Sequence, residues 1–113
     1  MNNWAIRSGQ RLLGLFSLVF LWSAFARADD SASLFKTKCA VCHADDGSGS
    51  GKMGQQLGAK DLRSADVQKQ TDAQLNESIT NGVGKKMPAY KAKLTDDQIK
   101  GLVGYIRDLA KKQ

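Results

Sequence analysis

Cys39-Ala40-Val41-Cys42-His43 constrains this chain more than any other stretch, because Cys-x-x-Cys-His is the sequence through which a c-type haem is covalently attached. On a helical turn, residues three apart lie on one face, so two sulfurs at this spacing can reach the two vinyl groups of one porphyrin. His43 follows directly, where an imidazole nitrogen can ligate iron from the proximal side while the thioethers fix the plane of the ring. The alternatives are a disulfide, a zinc half-site and a thioredoxin-like redox pair. Zinc needs four ligands, and the whole chain holds two Cys and one His. A thioredoxin-type pair belongs near a βαβ pattern, whereas the segment before Cys39 is short, polar and helical in pattern. The expected cofactor is therefore haem c, one per chain, held through Cys39 and Cys42 with His43 on the iron.

Residues 1–28 have the pattern of a secretory signal peptide. Arg7 and Arg11 form a basic start, Leu12 to Ala26 is an apolar stretch, and Ala26-Arg27-Ala28 supplies the small-x-small pattern of a cleavage site. A membrane-spanning helix usually needs about 18 or more apolar residues. The stretch from Leu12 to Ala26 is shorter than that, which favours cleavage over retention as an anchor. A mature chain from Asp29 and a periplasmic location are expected. Export and attachment agree, since bacteria complete thioether ligation outside the cytoplasm.

Residues 29–113 make one small domain, too little polypeptide to bury a large apolar core unaided. An enclosed porphyrin would add a large rigid apolar body. This part carries 14 Lys and Arg against 11 Asp and Glu, a formal charge of +3. That excess is modest, and without aromatic-basic interleaving or a long basic stripe it does not point to nucleic acid.

Helical patterns dominate. Residues 29–41 read as a short helix that Asp30 or Ser31 can cap, with Leu34, Phe35 and Lys38 sharing a face. Residues 44–62 read as a loop, because Gly47, Gly49, Gly51, Gly54 and Gly58 make regular structure improbable. Residues 49–54 match G-x-G-x-x-G by accident, since they follow a helix and open no long one. A Walker A reading fails too: Asp46 stands where the first Gly belongs, and Met53 replaces Ser or Thr. Thr71-Asp72-Ala73-Gln74 and Thr95-Asp96-Asp97-Gln98 are capping boxes that mark two helix starts. The first helix runs through Leu75 and Ile79 and should stop near Asn81-Gly82. The second has a staple of Leu94 on Ile99 and an apolar stripe of Leu102, Val103, Ile106 and Leu109, with Lys111 and Lys112 at its negative end. No strand pattern persists. The expected fold is all-α, with three principal helices around the haem.

A second strong axial ligand would close the iron and favour outer-sphere electron transfer. Apart from Met1 the methionines are Met53 and Met87. A methionine is usually a core filler. Met87, however, lies far beyond His43 and between the two capped helices, flanked by Gly82, Gly84 and Pro88, the chain's single proline. A loop there can cross the far face of the ring, so Met87 is the expected sixth ligand. Met53, close behind His43 in the glycine-rich segment, is expected to pack or lie exposed.

On these residues, Cys39, Cys42 and His43, the Met87-Pro88-Ala89-Tyr90 loop and a final helix carrying Tyr105, the chain resembles the bacterial class I monohaem cytochromes c, the small soluble kind related to cytochromes c-551 and c6. The likeness covers residues 31–111. It implies that the first and last helices cross with Phe35 meeting Tyr105, and that Gly101 and Gly104 permit close approach. Ser31 stands where many members have glycine, which would loosen that crossing. The loop after His43 lacks the proline whose carbonyl orients the imidazole in many members, so a backbone carbonyl between Gly51 and Leu62 is expected instead.

The expected function is an exported, soluble single-haem carrier that passes one electron between redox proteins. It is expected to act as a monomer, without nucleic acid and without stable membrane insertion after cleavage. No general base, nucleophile or second metal is apparent, so the chain is not expected to be an enzyme by itself. The rivals are a haem sensor or gas-binding module and an electron-entry subunit of a larger oxidoreductase. Lys85, Lys86, Lys91 and Lys93 bracket Met87 and would steer an acidic docking surface, unless they form only a solvated face.

Overall fold

The structure, a computed structural model, describes residues 30–113. The expected leader and its cleavage site, residues 1–28, lie outside the described residues. Among the described residues six helical segments follow in order: α1 over 30–38, α2 at Ala40–His43, α3 at Lys52–Leu57, α4 at Ala65–Gln68, α5 at Asp72–Asn81 and α6 at Asp96–Ala110. Among the described residues there is no strand, only an isolated antiparallel bridge between Val83 and Met87. The all-α expectation holds, with α1, α5 and α6 as the long elements.

Local chemistry sets the two best-defined helices. At α5 the Thr71 hydroxyl accepts from the Gln74 N–H at 3.1 Å while the Gln74 side chain accepts from the Thr71 N–H at 2.9 Å. Thr95 and Gln98 repeat the arrangement at α6 with the same distances. Each box satisfies two amides that a helix start would otherwise leave without partners. α5 ends at Asn81, where Gly82 takes over, as its sequence indicates.

α6 supplies one side of the core, burying Ile99, Leu102, Val103, Ile106 and Leu109. Phe35 of α1, Val67 of α4, Leu75 and Ile79 of α5, and Leu94 of the staple pack into the same cluster. Burying an aliphatic or aromatic side chain of this size contributes about 1.5–3 kcal/mol relative to exposure. The contact between α1 and α6 forms as the resemblance implies: the Phe35 and Tyr105 rings lie 5.1 Å apart at 48°. Ser31 is buried, and a β-carbon on Gly101 would overlap its hydroxyl, so close approach at Gly101 is what accommodates Ser31 in place of a glycine.

Three expectations need correction. Gly104 takes no part in the close approach: it is exposed, with open space where a β-carbon would go, because Ser31 meets α6 at Gly101 and nothing packs over Gly104 one turn on. Asp30 and Ser31, expected as caps, are themselves helical. The segment 44–62 is not all loop, since α3 forms within it and packs on α2. The glycine that argued against a helix there is what the packing requires: a β-carbon on Gly54 would overlap the Cys42 carbonyl. α4 was not expected at all, and it starts where the Ser64 hydroxyl accepts from the Val67 N–H at 3.4 Å.

Candidate functional site

Cys39 stands at the break between α1 and α2. The Cys42 and His43 amides both bond the Cys39 carbonyl, at 3.2 and 2.9 Å, which tightens the chain into a single new turn. That turn closes on Ala44, a non-glycine residue at φ +62°, a conformation that costs roughly 1–2 kcal/mol for a residue with a β-carbon. Such strain, immediately after His43, is maintained by its surroundings: the Ala44 amide bonds the Ala40 carbonyl at 2.8 Å, and the Gly49 amide bonds the His43 carbonyl at 2.9 Å.

The imidazole of His43 is half-buried, and its Nδ1 lies 3.1 Å from the Lys60 carbonyl oxygen. A carbonyl can only accept, so Nδ1 carries the proton and Nε2 keeps its lone pair. Burial lowers the imidazole pKa below its ordinary range, against the smaller opposing pull of the Lys60 carbonyl. A neutral ring with Nε2 free is the form that ligates a metal. The orienting carbonyl falls inside the 51–62 window expected for it.

Burial first, and the neighbouring Cys42 second, push the Cys39 thiol up to about 11. A reactive cysteine requires the opposite shift, which argues against the thioredoxin reading. The two cysteines are not disulfide-bonded, and among the described residues no group of three or more His, Cys, Asp or Glu is placed to hold a metal ion.

Cys39, His43 and Met87, far apart in sequence, line one cavity of about 270 Å³. Its walls are largely apolar, built from Phe35, Leu62, Val67, Leu75, Leu102 and Ile106. Cys42 is half-buried one turn beyond Cys39 and is not part of the lining. Of Met53 and Met87 only Met87 faces this cavity, while Met53 is 42% exposed and lies elsewhere. An apolar slot with a neutral imidazole and a thioether side chain on its walls and a neutral sulfur at its margin fits a porphyrin, with nitrogen and sulfur donors for its iron.

Two polar groups on these walls were not anticipated. Gln70 and Ser78 both line the cavity, Ser78 with its hydroxyl bonded back to the Gln74 carbonyl at 3.1 Å. Gln70 sits in the α4–α5 turn, which Arg107 of α6 holds in place: its guanidinium donates to the Gln68 carbonyl at 2.9 Å, the Gln70 carbonyl at 2.6 Å and the Asp72 carboxylate at 2.9 Å. The Gln68 side chain in turn donates to the Leu62 carbonyl at 2.7 Å. Nothing in the sequence around Gln70 marks it, since it faces the cavity only because α4 and α6 bring it there.

Tyr90 also lines the cavity, and its hydroxyl donates to the Lys38 carbonyl at 3.0 Å. Burial, followed by the two cysteines, raises its pKa, so the hydroxyl stays protonated at neutral pH. The Met-Pro-Ala-Tyr sequence pointed to this residue, though not to its partner.

Comparison with known proteins agrees with this geometry. The family model described as cytochrome C oxidase, cbb3-type, subunit III, matches residues 26–106. A cytochrome c6 from Leptolyngbya boryana is 38% identical over 90 residues, covering 77% of this chain and 98% of that protein. The cbb3-type cytochrome c oxidase subunit CcoP of Azospirillum brasilense is 34% identical over 85 residues, which are 74% of this chain and 29% of that protein. Among solved structures, the KustC0563 c-type cytochrome superposes with a TM-score of 0.65 at 32% identity, covering 70% of this chain and 95% of that one.

Proposed function

The chain belongs to the c-type cytochromes, as a small class I member with one covalently bound haem c, and from this we propose that it is an exported one-electron carrier whose iron is held by His43 and Met87. The observation that carries the proposal is the apolar cavity on which Cys39, His43 and Met87 converge.

Haem c supplies the Fe(II)/Fe(III) couple when bound. The chain's own residues do the rest. Cys39 and Cys42 hold the porphyrin by thioethers. His43, its Nδ1 proton fixed on the Lys60 carbonyl, offers Nε2 in one orientation in both oxidation states. Met87 offers soft sulfur, which favours Fe(II) and raises the potential relative to a hard ligand. Phe35, Val67, Leu75 and Leu102 exclude water from the ring, which keeps the surroundings of the iron nearly constant as it cycles.

The finer reading follows from the same residues. Residues 1–28 direct export to the periplasm and are removed, leaving 29–113 as the carrier. Among the described residues, no helix is long and apolar enough to cross a membrane. The partners are redox proteins. Lys85, Lys86, Lys91 and Lys93 are all exposed, beside a Val83 that is 53% exposed, and they steer an acidic docking surface toward the Met87 loop. Exposed charges are screened beyond about 8 Å at 0.15 M salt, so electron transfer to the partner should slow as ionic strength rises. Lys85→Gln with Lys86→Gln should flatten that dependence, and a rate indifferent to salt in both proteins would return these lysines to a solvated face.

A reduced-minus-oxidised spectrum with a midpoint titration of the purified protein tests the carrier reading. The variants test the ligands. Met87→Ala should abolish the weak far-red sulfur-to-iron charge-transfer band of the ferric protein, lower the potential and open the iron to CO or cyanide. Met53→Ala should leave all three unchanged. The reverse pattern would overturn the assignment. Tight CO binding by the unaltered reduced protein would favour a sensor over a carrier.

A further inference from the structure

The loop between α5 and α6 is anchored at its base by main-chain hydrogen bonds, Tyr90 N–H to the Ile79 carbonyl at 3.0 Å and Lys91 N–H to the Thr80 carbonyl at 3.1 Å. Both reach only α5. Within the loop, Val83 and Met87 exchange a pair of bonds at 3.0 and 3.3 Å, and residues 83–86 are exposed. The side-chain bond that crosses from this loop to the cysteine-bearing half is the Tyr90 hydroxyl on the Lys38 carbonyl. Lys38 is the residue next to Cys39. Its carbonyl is open to an outside donor because the helix breaks there, the Cys42 and His43 amides having both turned to Cys39.

We propose that the Tyr90 hydroxyl is a positioning group for the distal ligand: by holding Lys38 it couples the Met87 loop to the haem-attachment segment and restrains the excursions in which the Met87 sulfur leaves the iron. The inference rests on Met87 being the sixth ligand. Tyr90 follows Met87 after only Pro88 and Ala89, too short and stiff a span for the loop to swing outward while the hydroxyl stays bonded. Tyr90 is thus a latch on ligand exchange. Loss of one such hydrogen bond raises the open population by about two- to tenfold.

The test is stopped-flow binding of cyanide to the ferric holoprotein, whose rate at saturating cyanide reports release of the native ligand. Tyr90→Phe removes one hydroxyl and keeps the ring, and it should raise that plateau rate by about two- to tenfold with the far-red band retained. Tyr105→Phe, a hydroxyl lost from the ring that packs on Phe35 outside the cavity, should leave the plateau where it was. An unchanged plateau in Tyr90→Phe, or an equal rise in Tyr105→Phe, overturns the latch. Met87→Ala separates the two readings. If it abolishes the far-red band and makes the cyanide rate linear in concentration, the ligand assignment stands and the Tyr90→Phe result alone decides the latch. If it leaves band and plateau intact, the assignment fails and the latch falls with it.

Discussion

The two faces of the cavity are built by different means. The histidine side, residues 39–62, is main chain packed on main chain: Gly54 of α3 sits against the Cys42 carbonyl, the Leu62 amide bonds the Gly47 carbonyl at 2.7 Å, and the Ala59 amide bonds the Gly54 carbonyl at 2.8 Å. The methionine side, residues 82–90, is an exposed loop closed by one bridge and tethered at its base. A ligand held by interlocked backbone has no low-energy alternative position, whereas a ligand on a loop can leave by breaking a few bonds. On the ligand assignment proposed above, the difference teaches where this carrier can change state: exchange at the iron would belong to Met87, and the His43 side would be the fixed reference.

The largest test of that contrast is covalent. Cys39→Ser with Cys42→Ser should yield haem-free protein without cooperative unfolding, because so short a chain around an unfilled cavity has too little core. A sharp thermal transition in the haem-free protein would show that neither face depends on the porphyrin. Next in size is a pair of glycines. Gly54→Ala must displace α3 from Cys42 and should destabilise the holoprotein by about 3 kcal/mol or more, the upper end of overpacking costs. Gly84→Ala, with open space around it and only its φ of +57° to strain, should cost about 1 kcal/mol. Thermal or denaturant unfolding followed at the Soret band would measure both, and equal costs would erase the distinction between the faces.

The smallest effect is electrostatic and lies on the histidine side. Arg63 donates to Asp61 at 3.0 and 3.1 Å, and these hydrogen bonds hold the Asp61 carboxyl below its ordinary 3.8. A carboxyl whose folded-state pKa is depressed stabilises the fold above its unfolded value, and that contribution is lost as pH falls below 3.8 through the folded-state value. Arg63→Gln should therefore move acid unfolding to slightly higher pH. The shift should be small, since Asp61 is 39% exposed and solvent screens the pair. An acid titration followed by circular dichroism, showing no shift or one to lower pH, would remove Arg63 from the account.

What could be read from the sequence was whatever local chemistry encodes. The two Thr-x-x-Gln boxes each close within one helical turn, the Cys-x-x-Cys-His spacing acts over a similar reach, and Gly-x-Gly with Met-Pro marks a loop, so these features were legible. α3 was not, because Gly51 and Gly54 carry the same letters whether they loosen a loop or admit a neighbouring helix, and only the approach of α2 decides. Gly101 and Gly104 looked alike for the same reason, and only the approach of Ser31 to Gly101 separates them. Gln70 reaches the cavity through the grip of Arg107, which stands 37 positions away, a relation no window of sequence contains.

The Lys60 carbonyl has a consequence of its own. Every residue type presents the same main-chain oxygen, so the acceptor that sets the tautomer of His43 is independent of what side chain stands at position 60. That side chain is exposed. Surface charge at this point can drift through substitution, reshaping which partners the protein attracts, while the proton on Nδ1 stays where it is. Position 60 thus lets recognition evolve without retuning the metal.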